Sequence, residues 1–124
     1  GWRGTFDSIT KKTLEKMTKV YKVNHKNTKV YIGAHIRKCC YEVSEELKEK
    51  FIEEKNHINK DDLFYNRNLS LKECILKDAL DSGILENNIY DFGACTYCED
   101  NIKLHSYRKS NGSYGRLFSF AFLK

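Results

Sequence analysis

The stretch Lys29-Val30-Tyr31-Ile32-Gly33-Ala34-His35-Ile36-Arg37-Lys38-Cys39-Cys40-Tyr41-Glu42-Val43 carries the decisive change of pattern in this chain. Residues 29–33 form a short apolar run that ends in glycine, which predicts a buried strand. Residues 34–40 predict a loop, with Tyr41-Glu42-Val43 after it. Ser44 then stands where a helix cap belongs, and Glu45 and Glu46 occupy the first turn that a helix dipole favours for acids. Strand, loop and helix in immediate succession point to a mixed α/β layer structure.

The pattern extends in both directions. Upstream, Phe6, Ile9, Thr13, Met17, Val20 and Tyr21 recur at three- and four-residue steps, so a helix is expected there, led in by a turn at residues 1–4. Asn24 and Asn27 break it. Downstream, the helix capped by Ser44 runs through Leu47, Phe51 and Ile52 and dissolves into a polar stretch at 55–62. A further helix is expected over 69–80, stopped by Gly83. The last third predicts strands at 88–92, 104–108 and 117–123, with a hairpin turn at Ser110-Asn111-Gly112-Ser113. No repeat or low-complexity linker divides the chain, so the elements are expected to share one fold.

Bulk properties bound what this fold does. A chain of 124 residues with 40% hydrophobic and 13% aromatic content can bury one core and is not expected to be disordered. No apolar run reaches the roughly 20 residues of a membrane helix, and the start lacks the pattern of a signal peptide. The net charge of +5 comes from 22 basic residues interleaved with 17 acidic ones, as in Lys48-Glu49-Lys50. Such mixing predicts solvated faces and no nucleic-acid stripe. Five cysteines, with Cys39 and Cys40 adjacent, predict reduced thiols in a cytoplasmic protein. The opening Gly1-Trp2-Arg3-Gly4 reads as the interior of a motif, so further sequence is expected before it.

Four segments in order resemble one family. They are Gly1-Trp2-Arg3-Gly4-Thr5; Gly33 with Ile36 and Cys39-Cys40-Tyr41-Glu42-Val43; Ser82-Gly83-Ile84; and Cys95-Thr96-Tyr97-Cys98 with Leu104-His105-Ser106-Tyr107-Arg108 and Gly115-Arg116. Together they are similar to the C-terminal half of the YfiH-type laccase-domain proteins, whose signature begins His-Ala-Gly-Trp-Arg-Gly. The resemblance implies a layered α/β fold, the YfiH-like cysteine hydrolase fold, present here as a partial domain. It also implies a zinc-dependent purine nucleoside phosphorylase acting on adenosine, inosine or guanosine with phosphate, with adenosine deamination as a second reaction. The family's zinc is held by two histidines and a cysteine, and all three correspond to positions upstream of Gly1. The expectation is therefore a chain inactive alone, partnered by an N-terminal half of the same protein, with homo-oligomerisation left open. Ser70 and Ile75 stand where the family often has an aspartate and an asparagine, so no role of that aspartate carries over.

Residue by residue, Arg3 is the leading candidate for catalysis, since a guanidinium beside a metal site suits bidentate contact with phosphate or ribose; fixing the turn through a carboxylate is the competing role. Trp2 is expected to pack or to stack on a nucleobase. Cys40 is the candidate nucleophile, with Arg37 and Lys38 able to favour its thiolate, against burial as a structural thiol. Tyr41 and Arg108 complete the substrate-binding candidates, Arg108 lying with Arg116 beside a glycine-bearing turn suited to an anion. Copper is not expected, because a blue-copper site needs His₂Cys with an axial ligand and Met17 lies in a helix pattern. A different reading is a small zinc module on Cys95, Cys98 and His105, completed by Cys39 or Cys40. His25 and His57 are expected at the surface, and His35 near the cysteine loop.

Overall fold

The computed structural model describes residues 1–113 and 115–122. In chain order the elements are α1 (Trp2–Phe6), α2 (Ile9–Tyr21), β1 (Val30–Ile32), α3 (Glu45–Glu54), α4 (Lys60–Leu63), β2 (Phe64–Tyr65), β3 (Asn68–Leu69), α5 (Leu71–Asp81) and β4 (Ile89–Asp91). Short 3₁₀ turns at His25–Asn27 and Glu86–Asn88 precede β1 and β4. The mixed α/β layering expected from the sequence is what the chain adopts.

The cap expected at Ser44 is in place, and Ser70, inside the stretch expected to be helical from residue 69, turns out to be a second cap. The Ser44 hydroxyl accepts from the Leu47 amide and opens α3, and the Ser70 hydroxyl accepts from the Glu73 amide and opens α5. Gly83, at φ +90°, lets the chain leave α5 in the left-handed region, where its amide reaches the Leu80 carbonyl. The turn expected at residues 1–4 is instead the helix α1, because the Thr5 amide bonds back to the Gly1 carbonyl and Trp2 and Phe6 pack on the main core.

Strands β1 and β4 run parallel in register, Val30 opposite Ile89 and Ile32 opposite Asp91. The pairing continues past the strands: the Phe92 amide donates to Ile32, and the Thr96 amide to His35. Helices α2 and α5 cover one face, where Leu14, Ala79 and Ile84 cluster with Met17, Val30 and Ile89. The larger core lies between α3, α5 and the β2–β3 hairpin and includes Phe51, Leu63, Leu69 and Cys74. Phe6 meets Phe51 edge to face, with ring centres 5.1 Å apart.

Two expectations fail in the last third. Residues 104–108 form no strand, and neither do the described residues of 117–123; Leu123 lies outside them. Among the described residues no strand pairs with either segment. The expected turn is present at 107–112. His25 also departs from its expected surface place. Its Nδ1 meets the Ser82 carbonyl, and its Nε2 lies 2.6 Å from the Thr18 hydroxyl and 3.2 Å from the Leu14 carbonyl. It fastens the end of α2 to the end of α5. No helix among the described residues is long and apolar enough to cross a membrane.

Candidate functional site

Loops that leave the carboxyl ends of parallel strands are where α/β folds place their chemistry. Here the loop after β1 carries Arg37, Cys39, Cys40 and Tyr41, and the loop after β4 carries Cys95 and Cys98. A turn at residues 38–40, closed by the Cys40 and Tyr41 amides on the Arg37 carbonyl, aims both adjacent cysteines the same way. The sulfurs of Cys39, Cys40, Cys95 and Cys98 consequently lie within 4.8 Å of one another, with Cys39 and Cys98 3.7 Å apart.

Three of these sulfurs, those of Cys39, Cys40 and Cys95, are shifted by their surroundings, and not all in one direction. Burial pushes Cys40 and Cys39 up, and neighbouring thiols add to it at Cys40. Burial also works against the Cys95 thiolate, but amides of Arg37, Cys98 and Tyr97 point at its sulfur and outweigh it, bringing it down to about 6. The Arg37 amide lies 3.4 Å from that sulfur. The cations expected to favour a Cys40 thiolate are turned elsewhere: Lys38 puts its ammonium onto the carbonyls of Asp61 and Asp62, and Arg37 is engaged by Asp91. Cys74, the fifth cysteine, is buried in the core and pushed up to about 12.

The expected zinc set of Cys95, Cys98 and His105 needs correcting. His105 stands outside the sulfur group and accepts at Nδ1 from the Gly115 amide, 3.3 Å away. Its ring fills the place a Cβ on Gly115 would occupy, at 2.5 Å. Both Cys39 and Cys40, rather than one of them, complete the quartet.

Next to the quartet, Tyr41 is buried, with the Arg108 guanidinium 5.1 Å from its ring centre. Arg108 also donates to the Glu42 carbonyl at 2.7 Å, which fixes the cation over the ring. Burial raises the Tyr41 phenol, while the charges of Arg108 and Arg3 oppose the shift, so both cations lie close enough to act on it. Arg3 in turn lies 4.6 Å from the Trp2 ring centre. The candidates Trp2, Arg3, Tyr41 and Arg108, from three separate parts of the chain, thus converge.

One feature was missed in the sequence. Asp91, at the end of β4, grips Arg37 through two 2.9 Å hydrogen bonds and lies 3.7 Å from Lys72. A short apolar strand ending in aspartate before Gly93 was the available signal. His35, expected near the cysteine loop, is found there; it bonds the Gly33 carbonyl through Nδ1, and its buried Nε2 has no hydrogen-bond partner among the described residues.

Comparison with known proteins places this arrangement in a family. A family model described as multi-copper polyphenol oxidoreductase laccase matches residues 1–124. A purine nucleoside phosphorylase of Clostridium acetobutylicum is 37% identical over 124 residues, covering 100% of this chain and 51% of that protein. A purine nucleoside phosphorylase of Borreliella burgdorferi is 34% identical over 119 residues, covering 88% and 47%. The chain spans about half the length of these curated relatives. The fold matches the Bacillus licheniformis hypothetical protein YfiH with a TM-score of 0.79 at 26% identity, over 90% of this chain and 43% of that one. It matches YlmD from Geobacillus stearothermophilus with the same score at 24% identity, over 93% and 44%. With its whole length matched and its sulfur and arginine–tyrosine clusters built from the motifs that resemble the YfiH type, the chain belongs to the multi-copper polyphenol oxidoreductase laccase family.

Proposed function

We propose that this chain supplies the phosphate- and nucleoside-binding wall of a purine nucleoside phosphorylase, acting together with a further half of the same protein. The observation that carries this is a pair of cation–aromatic contacts, Arg108 over Tyr41 and Arg3 over Trp2, with Arg3 near enough to act on the Tyr41 phenol as well. Both arginines are exposed and retain N–H groups for an anion, while their aromatic neighbours offer faces for a purine or ribose. The phosphorylase names of the relatives, each about twice this length, support the substrate class.

In this reading Arg3 is the catalytic group and Arg108 the anchor. Phosphate oxygen attacks C1′ of the nucleoside, the bond to the purine nitrogen breaks, and that nitrogen takes up a proton as free base leaves. Two guanidinium groups hold the phosphate in line and offset its charge. Trp2 and Tyr41 bound the site on its apolar side. Adenosine deamination, in which water replaces the exocyclic amine, is proposed as a second reaction of the whole protein.

The family description names copper, and the donor set here is not that of a blue-copper centre, which needs two histidines and a cysteine. Among the described residues the metal-competent group is all sulfur, and His25 and His105 are engaged elsewhere in the fold. The resemblance assigns the catalytic zinc to two histidines and a cysteine, none of them on these 124 residues. Five free thiols support a cytoplasmic setting.

The test uses the intact protein with inosine and phosphate. Release of hypoxanthine and ribose 1-phosphate is expected. Arg3→Ala and Arg108→Ala are each expected to raise the KM for phosphate by about 10–100-fold, the worth of one charge-assisted contact. No base released from inosine, adenosine or guanosine at any zinc loading sinks the proposal.

A further inference from the structure

The four-cysteine cluster shares no residue with the arginines that would bind phosphate, and it has the dimensions of a mononuclear metal centre. Four thiolates at the ordinary zinc–sulfur length of about 2.3 Å stand about 3.8 Å apart in a tetrahedron. The quartet here fits within 4.8 Å, and its Cys39–Cys98 distance is 3.7 Å. An iron–sulfur cluster interposes bridging sulfides and spreads its cysteines more widely. Harder ions such as magnesium or calcium take oxygen ligands, which this set lacks.

From these dimensions we propose that Cys39, Cys40, Cys95 and Cys98 bind one structural zinc ion that staples the loop after β1 to the loop after β4. The local backbone is shaped for it. The tight turn at 38–40 points two adjacent thiols at one centre, and the CxxC turn at 95–98 presents two more, its Glu99 amide closing on the Cys95 carbonyl at 3.0 Å. Amides of Arg37, Tyr97 and Cys98 aim at the Cys95 sulfur, and such N–H···S contacts spread the charge that a tetrathiolate centre carries. Binding replaces each S–H bond with a Zn–S bond and releases the proton to solvent; no electron moves. The closed four-sulfur shell leaves no position for substrate, so the ion is structural, not catalytic. The consequence is positional: Cys40 directly precedes Tyr41, so a zinc here fixes the residue on which both arginine charges act.

The assignment is tested on the intact protein, purified without chelator, by metal analysis and thiol titration, and neither readout depends on activity. About one zinc per chain is expected beyond what a Cys95→Ser/Cys98→Ser double variant retains. On the wild type, which removes any doubt about folding of the variant, stepwise addition of a mercurial should release that zinc as about four thiols are consumed. Replacement by cobalt should give the thiolate charge-transfer absorption of a four-sulfur site. Zinc content unchanged by the double variant overturns the proposal. So does iron in its place, or a Cys39–Cys98 disulfide shown by a lowered thiol count that reductant restores.

Discussion

Asp91 holds Arg37 by a two-pronged ion pair in a spot where neither side chain is more than 25% exposed, and Gly93 adds an amide bond to the same carboxylate. The Arg37 side-chain bond, followed by the Gly93 amide and nearby cations, keeps Asp91 below its ordinary 3.8 despite burial. The unfolded chain therefore binds this proton more readily than the folded one. The stabilisation is present above the unfolded value and drains away as pH falls below about 4. Asp91→Asn should cost about 1–2 kcal/mol at neutral pH and flatten the acid limb of a stability–pH curve measured by urea unfolding. A second buried arrangement makes a sharper case. Lys55 is 1% exposed, and its ammonium donates to the Ser8 hydroxyl, which in turn donates to Asp78. Ser8→Ala leaves an ammonium and a carboxylate without their bridge, and a loss of about 1–3 kcal/mol is expected in thermal unfolding. Neither arrangement was legible in the sequence, because partners 54 and 47 positions apart leave no local trace. Arg3, Tyr41 and Arg108 were legible only through ordered motifs, not through spacing.

At the scale of elements, legibility followed whether a segment's hydrogen bonds are its own. Helices α2, α3 and α5 close theirs internally, and apolar periodicity with Ser44 and Gly83 as punctuation located each within a few residues. Strands β1 and β4 were found because short apolar runs flanked by turns leave few other readings. Residues 117–122 alternate as a strand should, with Phe118, Phe120 and Phe122 on one side, yet a ladder needs a neighbour and the described residues provide none. The helix ends give a measurable check. Gly83→Ala forces a side chain into φ +90° with His25 3.9 Å away, so about 1 kcal/mol should be lost. His25→Ala should cost about 1–3 kcal/mol, since carbonyls at the ends of two helices lose their shared partner. Because both substitutions act where α2 meets α5, the double variant should fall short of the sum in denaturant unfolding. Strict additivity would mean that the imidazole does not tie these ends together.

At the scale of the whole molecule, a parallel sheet is a structure normally covered on both faces. Here α2 and α5 cover one face, and the other presents Tyr31, 70% exposed, stacked on Tyr90 with ring centres 4.8 Å apart. A cavity of about 650 Å³ opens there, lined by these tyrosines with Phe92, Leu104, Leu117 and Phe118. Phe118 and Phe120 are each 87% exposed. A contiguous aromatic surface of this kind marks an interface, and the relatives' doubled length points to the rest of a longer protein as its cover. The proposal has a consequence of opposite sign in two settings. In the isolated 124-residue chain, the face meets water, so Tyr31→Ser with Phe118→Ser should leave folding stability nearly unchanged while suppressing self-association and hydrophobic-dye binding. With the proposed further half seated on this face in the intact protein, the same pair of changes should destabilise by about 1.5–3 kcal/mol for each ring that becomes fully buried. Light scattering of the isolated chain and urea unfolding of the intact protein measure the two arms. Equal, small effects in both would show that the aromatic face stays open, and would remove the reason for assigning the second half of the protein to it.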